Sequence, residues 1–161
     1  MGIQVTDPSS DSSPNHQKYM NNSHNEQIDQ QMLEKLTQFV GSIEDDWNFI
    51  IPTQLKVDLM KGEDYFLLDT RKPEDYANGH IEGAMNIFWL DILKAENLAK
   101  LPRDRRIIIC CYVGHTASQV LVMLRLLGFD ARILKFGMGK SPVIGVPVAG
   151  WENYGFETVK G

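Results

Sequence analysis

Two adjacent cysteines, Cys110 and Cys111, are the side chains of this sequence best suited to covalent chemistry. They follow an apolar run at residues 107–109, and Gly114 comes shortly after the second cysteine. A cysteine thiolate is a strong nucleophile, and positive potential from backbone N–H groups or a helix N-terminus favours that charged form. Neighbouring cysteines rarely reach disulfide geometry. We therefore expect both sulfurs to be free, and one of them to be the candidate nucleophile.

The segment around the cysteines predicts a strand, a tight loop and a helix. The isoleucine run at residues 107–109 is typical of a central parallel strand that is buried on both faces. Thr116 and Gln119 match a capping box, so the helix is predicted to begin near Thr116. A loop at this edge of a parallel sheet is where α/β proteins place ligands. Gly114 allows a turn whose N–H groups point inward and form an anion cradle.

Position in this unit separates the two cysteines. Cys110 is the last residue of the predicted strand, and because strand side chains alternate, its sulfur should point away from its neighbour's and pack in the core. Cys111 is the first loop residue, at the bottom of the cradle, where backbone potential favours the thiolate. We therefore assign Cys111 as the nucleophile. The competing interpretation is an inert buried cysteine.

The elements that position this loop follow from the rest of the chain. Short apolar runs alternate with amphipathic segments, which predicts an α/β fold with a mostly parallel sheet. Strands are expected at residues 49–51, 65–69, 84–88, 107–110 and 131–136. Helices are expected from Pro52 to Gly62, from Lys72 to Gly79, and over residues 117–127 before Gly128.

The first 44 residues differ in composition from the remainder. Residues 1–25 are polar and rich in Ser, Asn and Gln, which predicts a disordered tail. Residues 26–44 carry apolar side chains at helical spacing and predict an amphipathic helix. Packing of that helix onto the domain is the favoured interpretation, and binding of a partner is the alternative. Residues 45–161 form the predicted globular domain.

Charge and hydropathy exclude several classes of protein. The net charge of -5 and the pI near 5.3 argue against a nucleic-acid binder, whose surface is basic. The sequence has no apolar run long enough to cross a membrane, so no membrane partner is expected. Its N-terminal residues lack the basic and apolar parts of a secretory signal. We expect a cytoplasmic protein.

Two blocks of the sequence resemble the single-domain rhodanese-like, or sulfurtransferase, family. DTRKPEDYANGHIEGAMNI at residues 69–87 is similar to the family's D-x-R and G-H-I-x-G-A-x-N signature. CYVGHTASQ at residues 111–119 is similar to its active-site loop, whose first residue carries a persulfide. The resemblance spans residues 45–160 and implies a rhodanese-like α/β fold, with a central five-stranded parallel sheet and helices on both faces.

The resemblance also implies roles for individual residues. It places Cys111 at the catalytic position, in agreement with the loop argument. The residues that follow are expected to contact the substrate: Tyr112, Val113, Gly114, His115 and Thr116. Asp69 and Arg71 resemble a framework ion pair beneath the loop. His115 either faces solvent or supplies a proton or a positive charge to a bound anion. No metal or organic cofactor is expected.

Two features depart from the family pattern. Many rhodanese loops carry Arg or Lys five residues after the cysteine, where this chain has Thr116. The segment GMGKSPVIGVPVAGW, residues 137–151, is longer than the family's usual Gly-rich turn before its tryptophan. Its glycine and proline content predicts a loop that covers one edge of the pocket.

The favoured function is a sulfurtransferase that carries sulfane sulfur as a persulfide on Cys111. Thiosulfate, polysulfide or a low-molecular-weight persulfide would be the donor, and a thiol, cyanide or a protein would be the acceptor. The alternative is a catalytically weak rhodanese-like module that acts in protein interaction or sulfur relay. A phosphatase or arsenate reductase is disfavoured because it needs an arginine six residues after the cysteine, where Ala117 stands.

Deletion of residues 1–25 should leave the thermal midpoint of unfolding and the activity unchanged, because this segment has too few apolar side chains to pack. Scanning calorimetry of the full and shortened chains checks the prediction. A midpoint that falls by several degrees would show instead that the segment docks on the domain.

Overall fold

The computed structural model of the protein describes residues 29–140 and 149–161. The predicted disordered tail, residues 1–25, lies outside the described residues. The chain divides into two compact units, residues 1–33 and 34–161. The described part of the first unit is the start of a helix. There the Met32 N–H donates to Asp29 Oδ1 at 3.1 Å, which satisfies one of the free donors of the first helical turn.

Helices and strands alternate along the described chain. The helices are α1 (Gln30–Gly41), α2 (Pro52–Lys61), α3 (Pro73–Asn78), α4 (Ala95–Leu98) and α5 (His115–Leu126), with single 3₁₀ turns at Trp89–Asp91 and Glu152–Tyr154. The strands are β1 (Phe49–Ile50), β2 (Phe66–Asp69), β3 (Met85–Asn86), β4 (Ile107–Cys110) and β5 (Ala131–Leu134). No helix among the described residues is long and apolar enough to cross a membrane.

The five strands form one parallel sheet in the order β1-β5-β4-β2-β3. Strand β4 is central, and Ile109 pairs in register with Leu68 of β2 and Ile133 of β5. All four residues of β4 are buried, as the isoleucine run predicts. The predicted five-stranded parallel sheet is therefore confirmed.

Two apolar layers cover the sheet, one on each face. Ile107 and Ile109 pack with the buried side of α5, whereas Ile108 packs with Leu55 of α2 and with Trp151. Full burial of one such side chain stabilises the fold by about 1.5–3 kcal/mol. The period-two alternation of β4 therefore anchors helices on both faces, which confirms the predicted layer arrangement.

Several element boundaries agree with the turn signals in the sequence. Helix α2 begins at Pro52 and ends before Gly62, which takes φ +82° in the left-handed region that favours glycine. Strand β5 is shorter than predicted and ends at Leu134. The reason lies in the next residues, because Phe136 and Gly137 both take positive φ and turn the chain away from the sheet.

The predicted capping box at the start of α5 is wrong. The N-cap is Gly114, at φ +102°, and the helix begins at His115, so Thr116 lies inside the first turn. The hydroxyl of Ser118 donates to the Gly114 carbonyl at 2.9 Å, and the Thr116 hydroxyl does not cap the helix. The left-handed conformation of Gly114 reverses the chain before Thr116, which leaves no N-cap position for the threonine.

Helix α1 lies within the predicted range 26–44 but is shorter at both ends, and none of its residues is fully buried. In the unit of residues 34–161, Phe39 is half-buried and lines a crevice of about 480 Å³ together with Arg125 and Phe129. Val40 is 64% exposed. Packing onto the domain and binding of a partner therefore both stay predictions.

Candidate active site

A buried ion pair stands at the end of β2. Arg71 Nη2 lies 2.6 Å from Asp69 Oδ2, and both side chains are almost completely shielded from solvent. Arg71 Nη2 also donates to the Gly79 carbonyl at 2.7 Å. The net effect of the surroundings is to raise the pKa of Arg71. Burial alone would lower this pKa, but the hydrogen bond and the charge of Asp69 together outweigh burial. Loss of one partner would leave an uncompensated buried charge at a cost of about 3–5 kcal/mol.

Thr70, the residue between the two ion-pair partners, holds the backbone next to the cysteines. Asp69 pairs in register with Cys110. The following residue, Thr70, donates two hydrogen bonds to the Cys110 carbonyl. Its N–H donates at 2.9 Å and its hydroxyl at 3.0 Å. Both hydrogen bonds are accepted by the last carbonyl of β4, so the chain enters the candidate catalytic loop, residues 111–114, from a fixed position.

The two cysteines point into opposite layers of the protein. Cys110 packs with Ile108 and Trp151, whereas Cys111 belongs to the layer that holds α5. Burial, and after it the charge of Asp69, raises the pKa of the Cys110 thiol well above its usual value. The Cys110 thiol therefore stays protonated at neutral pH, and it donates to the Cys111 carbonyl at 3.6 Å. These features suit a packing residue.

Cys111 sits at the floor of the loop and faces a backbone donor. The Gly114 N–H donates to Cys111 Sγ at 3.0 Å, immediately before the N-terminus of α5. A backbone donor and a helix N-terminus beside a sulfur both interact favourably with negative charge that develops on it during a reaction. The side chain is only 1% exposed, so a reactant can approach it with one narrow group at most.

The five loop residues named from the sequence take different positions. Tyr112 and Val113 are half-buried, Gly114 is buried and His115 is exposed. The Thr116 hydroxyl oxygen is enclosed and has no hydrogen-bond partner among the described residues. A buried hydroxyl without a partner costs free energy, so the Thr116 oxygen is an exception to the usual pairing of buried polar groups. The Tyr112 hydroxyl donates to Asp75 Oδ2.

The turn at residues 136–139 supports the loop from the side opposite Thr70. The Met138 N–H donates to the Cys111 carbonyl at 2.8 Å, and the Gly139 N–H donates to the Tyr112 carbonyl at 3.0 Å. A Cβ on Gly137 would lie 2.1 Å from the Cys111 carbonyl oxygen, so this close approach requires glycine. Sequence reasoning missed this contact, although the glycine-rich composition of the segment was a signal of it.

His80 has a structural environment. Its ring stacks on Tyr76 with centroids 3.7 Å apart, and Nδ1 lies 2.9 Å from the Tyr76 carbonyl oxygen. Its backbone forms an antiparallel bridge with Val159. Among residues 29–140 and 149–161, no group of three or more His, Cys, Asp or Glu side chains could hold a metal ion.

Comparison with known proteins shows the family to which the chain belongs. The family profile described as the rhodanese-like domain matches residues 52–140. The chain belongs to the rhodanese-like domain family. It is 34% identical over 108 residues to a Mycobacterium tuberculosis protein named probable adenylyltransferase/sulfurtransferase MoeZ. That match covers 63% of this chain but 28% of the relative, so the chain spans less than a third of the relative's length.

Solved rhodanese structures share the fold. A rhodanese-related protein from Thermoplasma volcanium matches with a TM-score of 0.56 at 21% identity, over 68% of this chain and 95% of that chain. A rhodanese-like domain protein from Staphylococcus aureus matches with a TM-score of 0.53 at 25% identity, over 63% of this chain and 98% of that chain. The rhodanese fold predicted from the two sequence blocks is thus confirmed.

One predicted part of the rhodanese site is only partly described. The segment 137–151 was expected to cover an edge of the pocket, and its residues 141–148 lie outside the described residues. Its first part, residues 137–139, contacts the catalytic loop through backbone hydrogen bonds. Coverage of the pocket by the remainder stays a prediction.

Gly137→Ala should destabilise the domain more than a comparable glycine substitution elsewhere. Gly62 is the matched control, because it also has positive φ but a Cβ there would meet no atom within 4 Å. We expect Gly62→Ala to lower the free energy of unfolding by about 1–2 kcal/mol, and Gly137→Ala to lower it by about 1–3 kcal/mol more. Urea unfolding measures both. Equal losses would contradict a tight contact between Gly137 and the Cys111 carbonyl.

Proposed function

We propose that the protein is a sulfurtransferase that carries sulfane sulfur as a persulfide on Cys111. The observation that carries this proposal is the Gly114 N–H directed at Cys111 Sγ at 3.0 Å, at the start of α5. This contact stabilises negative charge on the attacking thiolate. Cys110, whose pKa is raised by burial, cannot compete as a nucleophile. Membership of the rhodanese-like family supports the same reaction class.

The reaction is a pair of displacements at sulfur. The Cys111 thiolate attacks the terminal sulfur of the donor, and a bond forms between Sγ and that sulfur. The bond between the terminal sulfur and the rest of the donor breaks, and its electron pair leaves with sulfite from thiosulfate or with a thiolate from a persulfide. A thiolate or cyanide then attacks the terminal sulfur of the Cys111 persulfide, and the Cys111 thiolate is released. The two steps balance without an external oxidant or reductant.

The enclosure of Cys111 agrees with such a donor. Only 1% of the residue is exposed, and a sulfane sulfur is a terminal atom that projects from the rest of its molecule. Thr116 follows the first residue of α5, and its buried hydroxyl has no hydrogen-bond partner among the described residues. The similarity to the relative named probable adenylyltransferase/sulfurtransferase MoeZ supports sulfur transfer as the reaction class.

Substitution of the two cysteines tests the function and the assignment together. Cys111→Ser should abolish sulfur transfer from thiosulfate or glutathione persulfide to cyanide, because it removes the nucleophile. Cys110→Ser should keep most of the activity and lose some stability, because that side chain only packs. Mass spectrometry of the donor-treated protein locates the added sulfur.

Two outcomes of this experiment would contradict the proposal. A persulfide on Cys110, with Cys111 unmodified, would overturn the assignment. A protein that forms no persulfide with any of the donors would instead favour a rhodanese-like binding module.

Thr116→Arg should lower the KM for thiosulfate. The thiosulfate dianion loses hydration as it enters the loop, and residues 111–116 include no arginine or lysine to replace that water. A charge-assisted hydrogen bond from the new guanidinium is worth about 1.5–3 kcal/mol, which is about ten- to a hundredfold in binding. The KM for glutathione persulfide should change by a smaller factor.

Steady-state kinetics with both donors measures the effect, and Gln119→Arg is the matched control. Gln119 is exposed on α5 beyond the first turn, so its substitution adds the same charge outside the loop. A thiosulfate KM in the micromolar range in the unmodified protein, unchanged by Thr116→Arg, would show that backbone donors alone bind the dianion. An equal gain in Gln119→Arg would assign the effect to net charge.

A further inference from the structure

We propose that Asp75 positions the catalytic loop by holding the side chain of Tyr112, so that this tyrosine acts on Cys111 and not directly on the substrate. The inference deepens the proposed sulfurtransferase function and rests on it for its kinetic consequences. It adds Asp75 to the site and changes the role of Tyr112 from substrate contact to positioning.

The contact joins the residue after the nucleophile to a different element. The Tyr112 hydroxyl donates to Asp75 Oδ2, and it accepts a weaker hydrogen bond from the Lys72 N–H at 3.4 Å. Asp75 lies in the first turn of α3, which follows the end of β2. Tyr112 and Asp75 are both half-buried and line a small cavity of about 120 Å³. Burial, with the hydrogen bond to Asp75 next in size, raises the pKa of Tyr112, so the phenol stays a donor at neutral pH.

Tyr112 is thereby held at both ends. Its carbonyl accepts from the Gly139 N–H at 3.0 Å, and its hydroxyl is bound to Asp75 at the other end of the side chain. A residue that is held at two points cannot rotate about its backbone without breaking one of the two hydrogen bonds. The peptide that links Tyr112 to Cys111 is therefore held in orientation, and Cys111 Sγ stays within reach of the Gly114 N–H.

The direction of the hydroxyl argues against a direct role on the substrate. The phenol oxygen is occupied by Asp75 and by the Lys72 backbone, both of which lie outside the loop. A misplacement of reacting groups by 1 Å can cost about a hundredfold in rate. Loss of the Tyr112–Asp75 contact should therefore act on the rate of sulfur transfer more than on donor binding.

The chain contains a matched control pair. The Tyr65 hydroxyl donates to Asp58 Oδ2 at 3.1 Å, and burial followed by that hydrogen bond raises the pKa of Tyr65 in the same way. Tyr65 directly precedes β2, at the N-terminal end of the strand. The catalytic loop follows the C-terminal end of β4, on the opposite side of the sheet. The same substitutions at this pair remove an equivalent contact far from the nucleophile.

The experiment compares Tyr112→Phe, Asp75→Asn and the double variant with Tyr65→Phe and Asp58→Asn. Single-turnover persulfide formation on Cys111 gives a maximal rate and a donor half-saturation constant for each protein. We expect Tyr112→Phe, Asp75→Asn and the double variant each to lose about tenfold in maximal rate, with the half-saturation constant nearly unchanged. The double variant should be no slower than the single variants, because one contact is removed in all three. Asp75→Glu, which keeps a carboxylate, should recover most of the rate.

A second readout does not depend on sulfur transfer. Hydrogen exchange of the peptide that contains residues 111–116 should be faster than in the unmodified protein. The increase should be equal in Tyr112→Phe, Asp75→Asn and the double variant. The control variants should lower the thermal midpoint without changing the exchange of that peptide or the rate. If no donor modifies Cys111 in any protein, the proposed function fails, and the exchange data still test the positioning role.

Three results would overturn the inference. The first is a rate loss in Tyr112→Phe without one in Asp75→Asn, which would assign the phenol to direct substrate contact. The second is additive loss in the double variant. The third is an equal loss in the control pair, which would show that general destabilisation explains the effect.

Discussion

The end of strand β4 is held by hydrogen bonds to two consecutive carbonyl oxygens. The Cys110 carbonyl accepts from the N–H and hydroxyl of Thr70, and the Cys111 carbonyl accepts from the N–H of Met138. These contacts fix the two peptide planes before the loop begins. Because the planes are fixed, the Gly114 N–H meets Cys111 Sγ, and α5 starts directly behind it. The geometry of the candidate site therefore depends mainly on backbone hydrogen bonds.

The alternation of side chains along β4 places the two cysteines on opposite faces of the sheet. Successive side chains of a strand point to opposite faces, so Cys110 and Cys111 enter different apolar layers. Both are buried, but within residues 29–140 and 149–161 only Cys111 has a backbone N–H donor on its sulfur. For Cys110, burial and the nearby charge of Asp69 raise the pKa and keep the thiol protonated. Two residues of one type, adjacent in the chain, therefore have different surroundings.

The contacts around the loop place strain and buried charge close to Cys111. Phe136 is not glycine but takes φ +59°, in a region that is costly for most residues. The backbone N–H of Trp151 donates to the Gly137 carbonyl at 2.9 Å and helps to hold this turn against the loop. The Asp69–Arg71 pair is buried beside the end of β4. Strained backbone persists where the surrounding structure over-determines it, as at binding and catalytic sites.

The sequence by itself determined the layered α/β fold, because the isoleucine run of β4, Pro52 and Gly62 act locally or through a fixed side-chain period. It also indicated a strand, loop and helix around Cys111, and so separated the two cysteines by position. Only the tertiary structure decided that Gly114 and not Thr116 caps α5, that Gly137 meets the Cys111 carbonyl, and that Tyr112 reaches Asp75. The partners in the last two contacts are 26 and 37 residues apart, and spacing along the chain carries no signal for such pairs. They form because parallel strands bring the loops after β2, β4 and β5 to one edge of the sheet.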